Sequence, residues 1–152
     1  MSKSRLKGPK ENINLNRDYV KRGSICTQTP KFSFTYLTSN SKYNFSYCDK
    51  EKETKGNLLA SAIIRKLDEI SRETWQHWGA LDKKSGGYEK LDYSRIAFKA
   101  NTKLTPDENV YIFRFKYKNC DGKDGRILGI REDACPVFEI IGFDFDYSAY
   151  KH

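Results

Sequence analysis

The stretch VYIFRFKYK, Val110 to Lys118, decides the fold class. Tyr111, Phe113, Phe115 and Tyr117 share one parity, and Ile112, Arg114, Lys116 and Lys118 share the other. Successive side chains of a strand point to opposite faces, so this alternation predicts a β-strand with an aromatic core face and a cationic outer face. Asn119 to Gly125 follows, and its Asp121-Gly122 and Asp124-Gly125 pairs carry the chemistry of a hairpin turn. Arg126 to Arg131 reads as the next strand, Glu132 to Pro136 as a second turn, and Val137 to Phe143 as a third strand. Asp144 to His152 is its polar continuation. Three strands joined by short turns make an antiparallel meander.

A sheet with one apolar face needs a covering layer, and the residues upstream supply one. Leu59, Ile63, Leu67 and Ile70 recur at helical spacing, while Arg65, Lys66, Asp68 and Glu69 fall elsewhere on the wheel. A helix is expected over Asn57 to Leu67, with Asn57 as its N-cap. Ser71 is expected to cap a second, short helix bearing Trp75 and Trp78, both read as core anchors. Asp82 to Tyr88, with Ser85-Gly86-Gly87 between lysines, reads as a loop, and Tyr93 to Phe98 as a short strand or helix ending before Pro106. Between Lys31 and Tyr47 the aromatics Phe32, Phe34 and Tyr36, then Tyr43, Phe45 and Tyr47, alternate around the polar break Thr38 to Lys42. That pattern predicts a β-hairpin, or a strand and a second extended segment, turning at Ser39-Asn40-Ser41. The fold class expected is α+β: an antiparallel sheet of three to five strands packed on a pair of helices.

The chain has 152 residues, a length that suits one domain. Aromatic residues make up 14% of it and only one Met is present, a composition that favours sheet over a helical bundle. The formal charge is +8, with a pI near 9.3. Seven Lys/Arg against two Asp/Glu in residues 1–23 account for +5 of that excess. Residues 1–23 are therefore read as a basic, flexible arm, and 24–152 as a single α+β domain of mild basicity. A basic excess favours anionic partners without specifying a fold.

Several chemistries find no support. Cys26, Cys48, Cys120 and Cys135 have no CxxC spacing and are read as unpaired thiols rather than zinc ligands. Asp144 and Asp146 lack a third ligand at motif spacing, so no metal is expected. His77, between the two tryptophans, is read as structural. There is no GxxxxGK[ST], GxGxxG or GxSxG, and no cofactor is expected. No apolar run approaches a membrane span and no signal-peptide segment opens the chain, so a soluble, cytoplasmic protein without membrane contact is expected.

The order of two helices, then a meander ending in an aromatic and His tail, resembles the RelE/ParE-like toxin superfamily over roughly residues 57–152. YIFRF at Tyr111 to Phe115, GRILGIRE at Gly125 to Glu132 and VFEIIGFDFDYSAYKH at Val137 to His152 carry the likeness. LDEISRETWQHW at Leu67 to Trp78 is similar to the helix-corner segment of phage-borne relatives. The resemblance implies an endoribonuclease that cuts messenger RNA, on the ribosome in that branch of the superfamily, and is neutralised by a partner antitoxin. Other members lack ribonuclease activity, members are generally shorter than this chain, and the first third is left unexplained. Cleavage by 2′-hydroxyl attack needs a base, cations for the scissile phosphate and a proton donor, and no metal. Under the resemblance Tyr150 and His152 are the acid/base candidates and Arg114 and Arg126 the phosphate clamps, since the guanidinium fork grips phosphate oxygens in pairs. Arg65, Lys66, Lys116 and Arg131 are the further nucleic-acid contacts it implies. Two readings stand beside it: a non-enzymatic phage- or plasmid-type protein that docks on nucleic acid or a host protein through a basic and aromatic surface, and a domain whose charged face serves solubility alone.

Overall fold

The computed structural model describes residues 27–117, 124–132 and 135–151. The arm 1–23, Cys26, Cys120, His152 and most of the Asn119 to Gly125 turn lie outside them. The strands are β1 (Lys31–Ser33), β2 (Glu89–Asp92), β3 (Asn109–Phe115), β4 (Gly125–Ile130) and β5 (Val137–Asp144), and the helices are α1 (Ser46–Lys50), α2 (Glu53–Ile70) and α3 (Trp75–Ala80). The sheet order is β1-β5-β4-β3-β2. β2 to β5 form the antiparallel part, and β1 pairs parallel with β5 through Lys31↔Val137, Phe32↔Phe138 and Ser33↔Glu139. The fold is α+β with a mixed sheet, where an antiparallel one was expected.

The expected hairpin over residues 31–47 does not form, because short polar side chains bend the chain after three strand residues. The amides of Thr35, Asn40, Lys42 and Ser46 donate to the side-chain oxygens of Ser33, Thr38, Asn40 and Asn44, each two residues back, at 2.9–3.3 Å. Such local bonds compete with a strand ladder. The segment instead follows β5 irregularly: the Thr38 amide donates to Ile141 O, and the Phe143 amide to Tyr43 O, both at 2.8 Å. Its aromatics are thereby split, with Phe32, Phe45 and Tyr47 packed on one face of the sheet and Tyr36 and Tyr43 on the other.

Helix α2 is longer than the periodicity predicts, and Asn57 lies inside it rather than at its cap. Leu59, Ile63, Leu67 and Ile70 are all buried, as the 3.6-residue stripe requires. Gly56, costly in a helix interior by about 1 kcal/mol, is there because a Cβ would collide with the Cys48 carbonyl of α1. Ser71 ends α2, its amide donating to Leu67 O at 3.0 Å, and Thr74 caps α3 by accepting the His77 amide at 3.1 Å. Trp75 and Trp78 are core anchors with their indole N–H groups satisfied, Trp75 by Pro136 O at 3.0 Å and Trp78 by Ile70 O at 2.9 Å. Trp75 meets Tyr88, Tyr111 and Phe138 edge to face at 5.8–6.2 Å between ring centroids.

The aromatic face of β3 behaves as the parity predicts: Tyr111, Phe113 and Phe115 are buried with α2, Trp75 and Trp78. The other face is not the open cationic surface expected. Val110, Ile112, Leu128, Ile130 and Ile141 form a second core with Tyr43, Phe98, Ala100, Ala149 and Tyr150. Irregular chain covers it, stitched by the Ala97 amide to Ala149 O at 2.7 Å and the Asn101 amide to Tyr36 O at 3.0 Å. Gly142 leaves the space that the Phe98 ring fills. Among the described residues, Arg114 and Lys116, toward the C-terminal end of β3, keep the cationic character on that parity.

Candidate nucleic-acid interface

Strand β2 stops short. Its first residue, Glu89, pairs with Ile112, so β3 beyond Ile112 has no strand on that side among the described residues. The uncovered edge faces α2 and the loop before β2, and between them lies a groove of about 580 Å³. Arg65, Lys66, Lys83, Lys84, Arg114 and Lys116 line it, against two carboxylates, Glu69 and Asp124. A second hollow of about 460 Å³, lined by Leu58, Ser61, Ala62, Arg65, Lys116 and Tyr117, shares Ala62, Arg65 and Lys116 with the first.

Local structure aims these cations. Lys83 and Lys84 sit on a 3₁₀ turn, Lys83–Ser85, closed by the Ser85 and Gly87 amides donating to Asp82 O at 2.9 and 3.0 Å. Gly86 has φ 103°, a left-handed conformation that glycine adopts without a Cβ penalty. The sequence favours an ordinary loop here over a phosphate cradle, and nothing local in it couples these lysines to α2. Lys66 is largely buried along the helix, its Nζ bonded to Glu69 at 3.2 Å and lying 5.6 Å from the Trp78 ring centroid. Lys83 Nζ is 3.6 Å from Glu89. Among the described residues Arg65, Lys84, Arg114 and Lys116 make no salt bridge. Like charges held in one concavity with low-dielectric walls focus a positive potential, which an anion relieves.

The remaining site candidates are elsewhere. Arg126 is 2% exposed, and its guanidinium lies 4.1 Å from the Tyr147 ring centroid and 5.8 Å from that of Tyr150. Burial works against its charge, yet the Tyr147 hydrogen bond and the Tyr150 phenol outweigh that and raise its pKa. Its NH1 donates to Asp124 O at 2.8 Å. Tyr150 is 6% exposed and donates to Glu89 at 3.4 Å. Burial pushes its pKa up to about 12 against the lowering effect of Arg126, with Glu89 adding to the rise, so at neutral pH the phenol holds its proton. Both residues belong to the face away from α2 and neither lines the groove. Asp144, fully buried, accepts the amides of Asp146 and Ser148 at 3.3 and 3.1 Å and so shapes the turn that carries Tyr147, whose φ is +65°. Arg131 lies at the opposite end of the sheet, 4.6 Å from the Trp75 ring centroid and 5.2 Å from that of Tyr111. The hollow it lines also contains Asp107 and Glu108, which disfavour an anion there.

The candidates thus separate into three places. Arg65, Lys66, Arg114 and Lys116 share the groove, Arg126 and Tyr150 share the second core, and Arg131 stands alone with the aromatics. Comparison with known proteins adds no relative: no family model matches the chain, and searches of the curated proteins and the solved structures find no match. Among the described residues no helix is long and apolar enough to cross a membrane.

Proposed function

We propose that this chain is a toxin-like RNA-binding protein that holds the phosphate backbone in the groove between α2 and the uncovered edge of β3. One observation carries the reading: among the described residues, six cations from three separate segments converge on one concavity against two carboxylates. Phosphates demand that arrangement, and Arg and Lys are the side chains that neutralise them. The helix pair laid against an antiparallel β2-β3-β4-β5 run supports the RelE/ParE-like assignment.

Binding of a fluorescent single-stranded RNA, followed by anisotropy across a salt series, tests the proposal. The affinity is expected to fall log-linearly with salt, by a slope of about 0.7 for each phosphate neutralised. A flat salt response would refute it.

Metal-independent cleavage is the second reading, and one link favours it. Tyr150 donates to Glu89, and Glu89 pairs with the groove lysine Lys83, so a protonated phenol lies one carboxylate away from the bound backbone. In this reading the 2′-hydroxyl gives its proton to Glu89 as its oxygen attacks phosphorus, the P–O5′ bond breaks to leave a 2′,3′-cyclic phosphate, and the departing 5′-oxygen takes a proton returned through the Glu89–Tyr150 pair. RNA incubated with the protein in chelator is expected to yield cyclic-phosphate ends, lost in Tyr150→Phe. Intact RNA after prolonged incubation would leave binding alone.

A further inference from the structure

The two connected hollows differ in chemistry, and we infer from that difference that the groove takes unpaired nucleotides, with phosphates in the cationic hollow and a nucleobase in the neighbouring one. This inference rests on the RNA-binding reading. The base hollow has Leu58 and Ala62 of α2 on one wall and Tyr117 on the other, and Arg65 and Lys116, shared with the cationic hollow, stand at the junction. Tyr117 donates its hydroxyl to Phe145 O at 3.3 Å, and its ring lies 6.0 Å from that of Phe115, so the phenol is anchored to the sheet. An aromatic and aliphatic wall beside a cationic groove is the arrangement that accepts a base face while cations follow the backbone. A volume of about 460 Å³ accommodates a purine ring together with part of its ribose.

Occupancy of that hollow requires a base out of its stack. In a duplex the base faces are covered by neighbours and the pairing edges by the opposite strand, so a double helix can offer the groove only phosphates. Preference for single strands is therefore a property of the second hollow, while bare affinity for polyanion is a property of the first. Ser61, exposed on α2, lies at the hollow without serving the core. Ser61→Phe fills the space and leaves the six cations intact.

The experiment compares three ligands of equal length by anisotropy at fixed salt: a single-stranded RNA, the same strand in a duplex, and an abasic ribose-phosphate strand. The single strand is expected to bind roughly tenfold more tightly than the abasic one, the effect of one stacked base, and more tightly than the duplex. Ser61→Phe and Tyr117→Leu should erase that preference while retaining salt-dependent binding, with circular dichroism and thermal melting confirming that both variants fold. Equal, salt-sensitive affinity for all three ligands overturns the base hollow and spares the phosphate groove, as does an unchanged single-strand preference in folded Ser61→Phe. Absence of salt-dependent binding to any ligand overturns the inference together with the RNA-binding reading.

Discussion

Arg114 and Arg126 are cross-strand partners on adjacent strands, pointing to the same face of the sheet, yet they live in different worlds. Arg114 is half-buried and lines the groove, whereas Arg126 is sealed under Tyr147 and Tyr150. Like charges directly opposite one another on a sheet repel, and the fold separates their duties. Where the neighbouring strand stops, the arginine reaches a concavity filled with other cations. Where residues 145–151 fold back, the arginine becomes a core residue against the Tyr147 and Tyr150 rings and the Asp124 carbonyl, opposite the buried Asp144 of β5. Residue type and strand parity are shared, and the burial that decides between ligand contact and structure is not.

The comparison breaks most readily at Arg126. Arg126→Ala removes a fully buried side chain and its two aromatic contacts, and is expected to cost on the order of 3 kcal/mol in urea unfolding. Folded Arg126→Ala should still bind RNA, because the groove is lined by other residues. The converse variant, Lys84→Glu with Lys116→Glu, should weaken RNA binding on the order of 100-fold at low salt while leaving the unfolding midpoint within experimental scatter, since both side chains are exposed and neither makes a salt bridge among the described residues. Loss of stability in the lysine pair, or loss of affinity in folded Arg126→Ala, would dissolve the distinction between the two regions.

Tyr150 sharpens the contrast through pH. Its pKa is raised from the ordinary tyrosine value to about 12 by burial. Between the two values the unfolded chain has lost the phenolic proton and the folded chain has kept it, so folding becomes less favourable as pH rises. The stabilisation is complete below pH 10 and is lost as pH climbs through 12, by an amount on the order of 2 kcal/mol. Tyr47, raised to about 12 by burial and by Glu51, contributes a loss of the same sign. Alkaline unfolding curves of Tyr150→Phe should be flatter over this window than those of the wild type. The smallest effect is expected at the helix corner. Thr74→Ala removes the cap that accepts the His77 amide, for a loss of about 1 kcal/mol read in thermal melting.

The groove was partly legible in the sequence. Arg65, Lys66, Arg114 and Lys116 are cations that the resemblance implies, and the fold brings these four, without Arg126 and Arg131, to one groove. Lys83 and Lys84, beside two glycines, have the composition of a phosphate cradle and of an ordinary loop alike, and the sequence favours the loop because it shows no GxxxxGK[ST] spacing and no preceding strand. The alternating aromatics at Phe32 to Tyr36 mimic a hairpin strand, and what defeats that pattern is a set of side-chain to backbone bonds from Ser, Thr and Asn. β2 escaped notice because EKLD, an edge strand of four residues, carries one apolar side chain and no period to detect.

What the sequence by itself determined is periodic: the aromatic parity of β3, the Leu59-Ile63-Leu67-Ile70 stripe of α2, and the two tryptophans that lock helices to sheet. Each follows from a repeat of two or of about 3.6 residues, which converts directly into a face to be buried. What only the tertiary structure decided is which segments meet: the parallel seat of β1 beside β5, the irregular cover on the second face, and the sorting of arginines into groove and core. These depend on where β2 ends and where residues 145–151 fold back. Contacts of that kind join parts of the chain far apart in sequence, and no local pattern of residues encodes them.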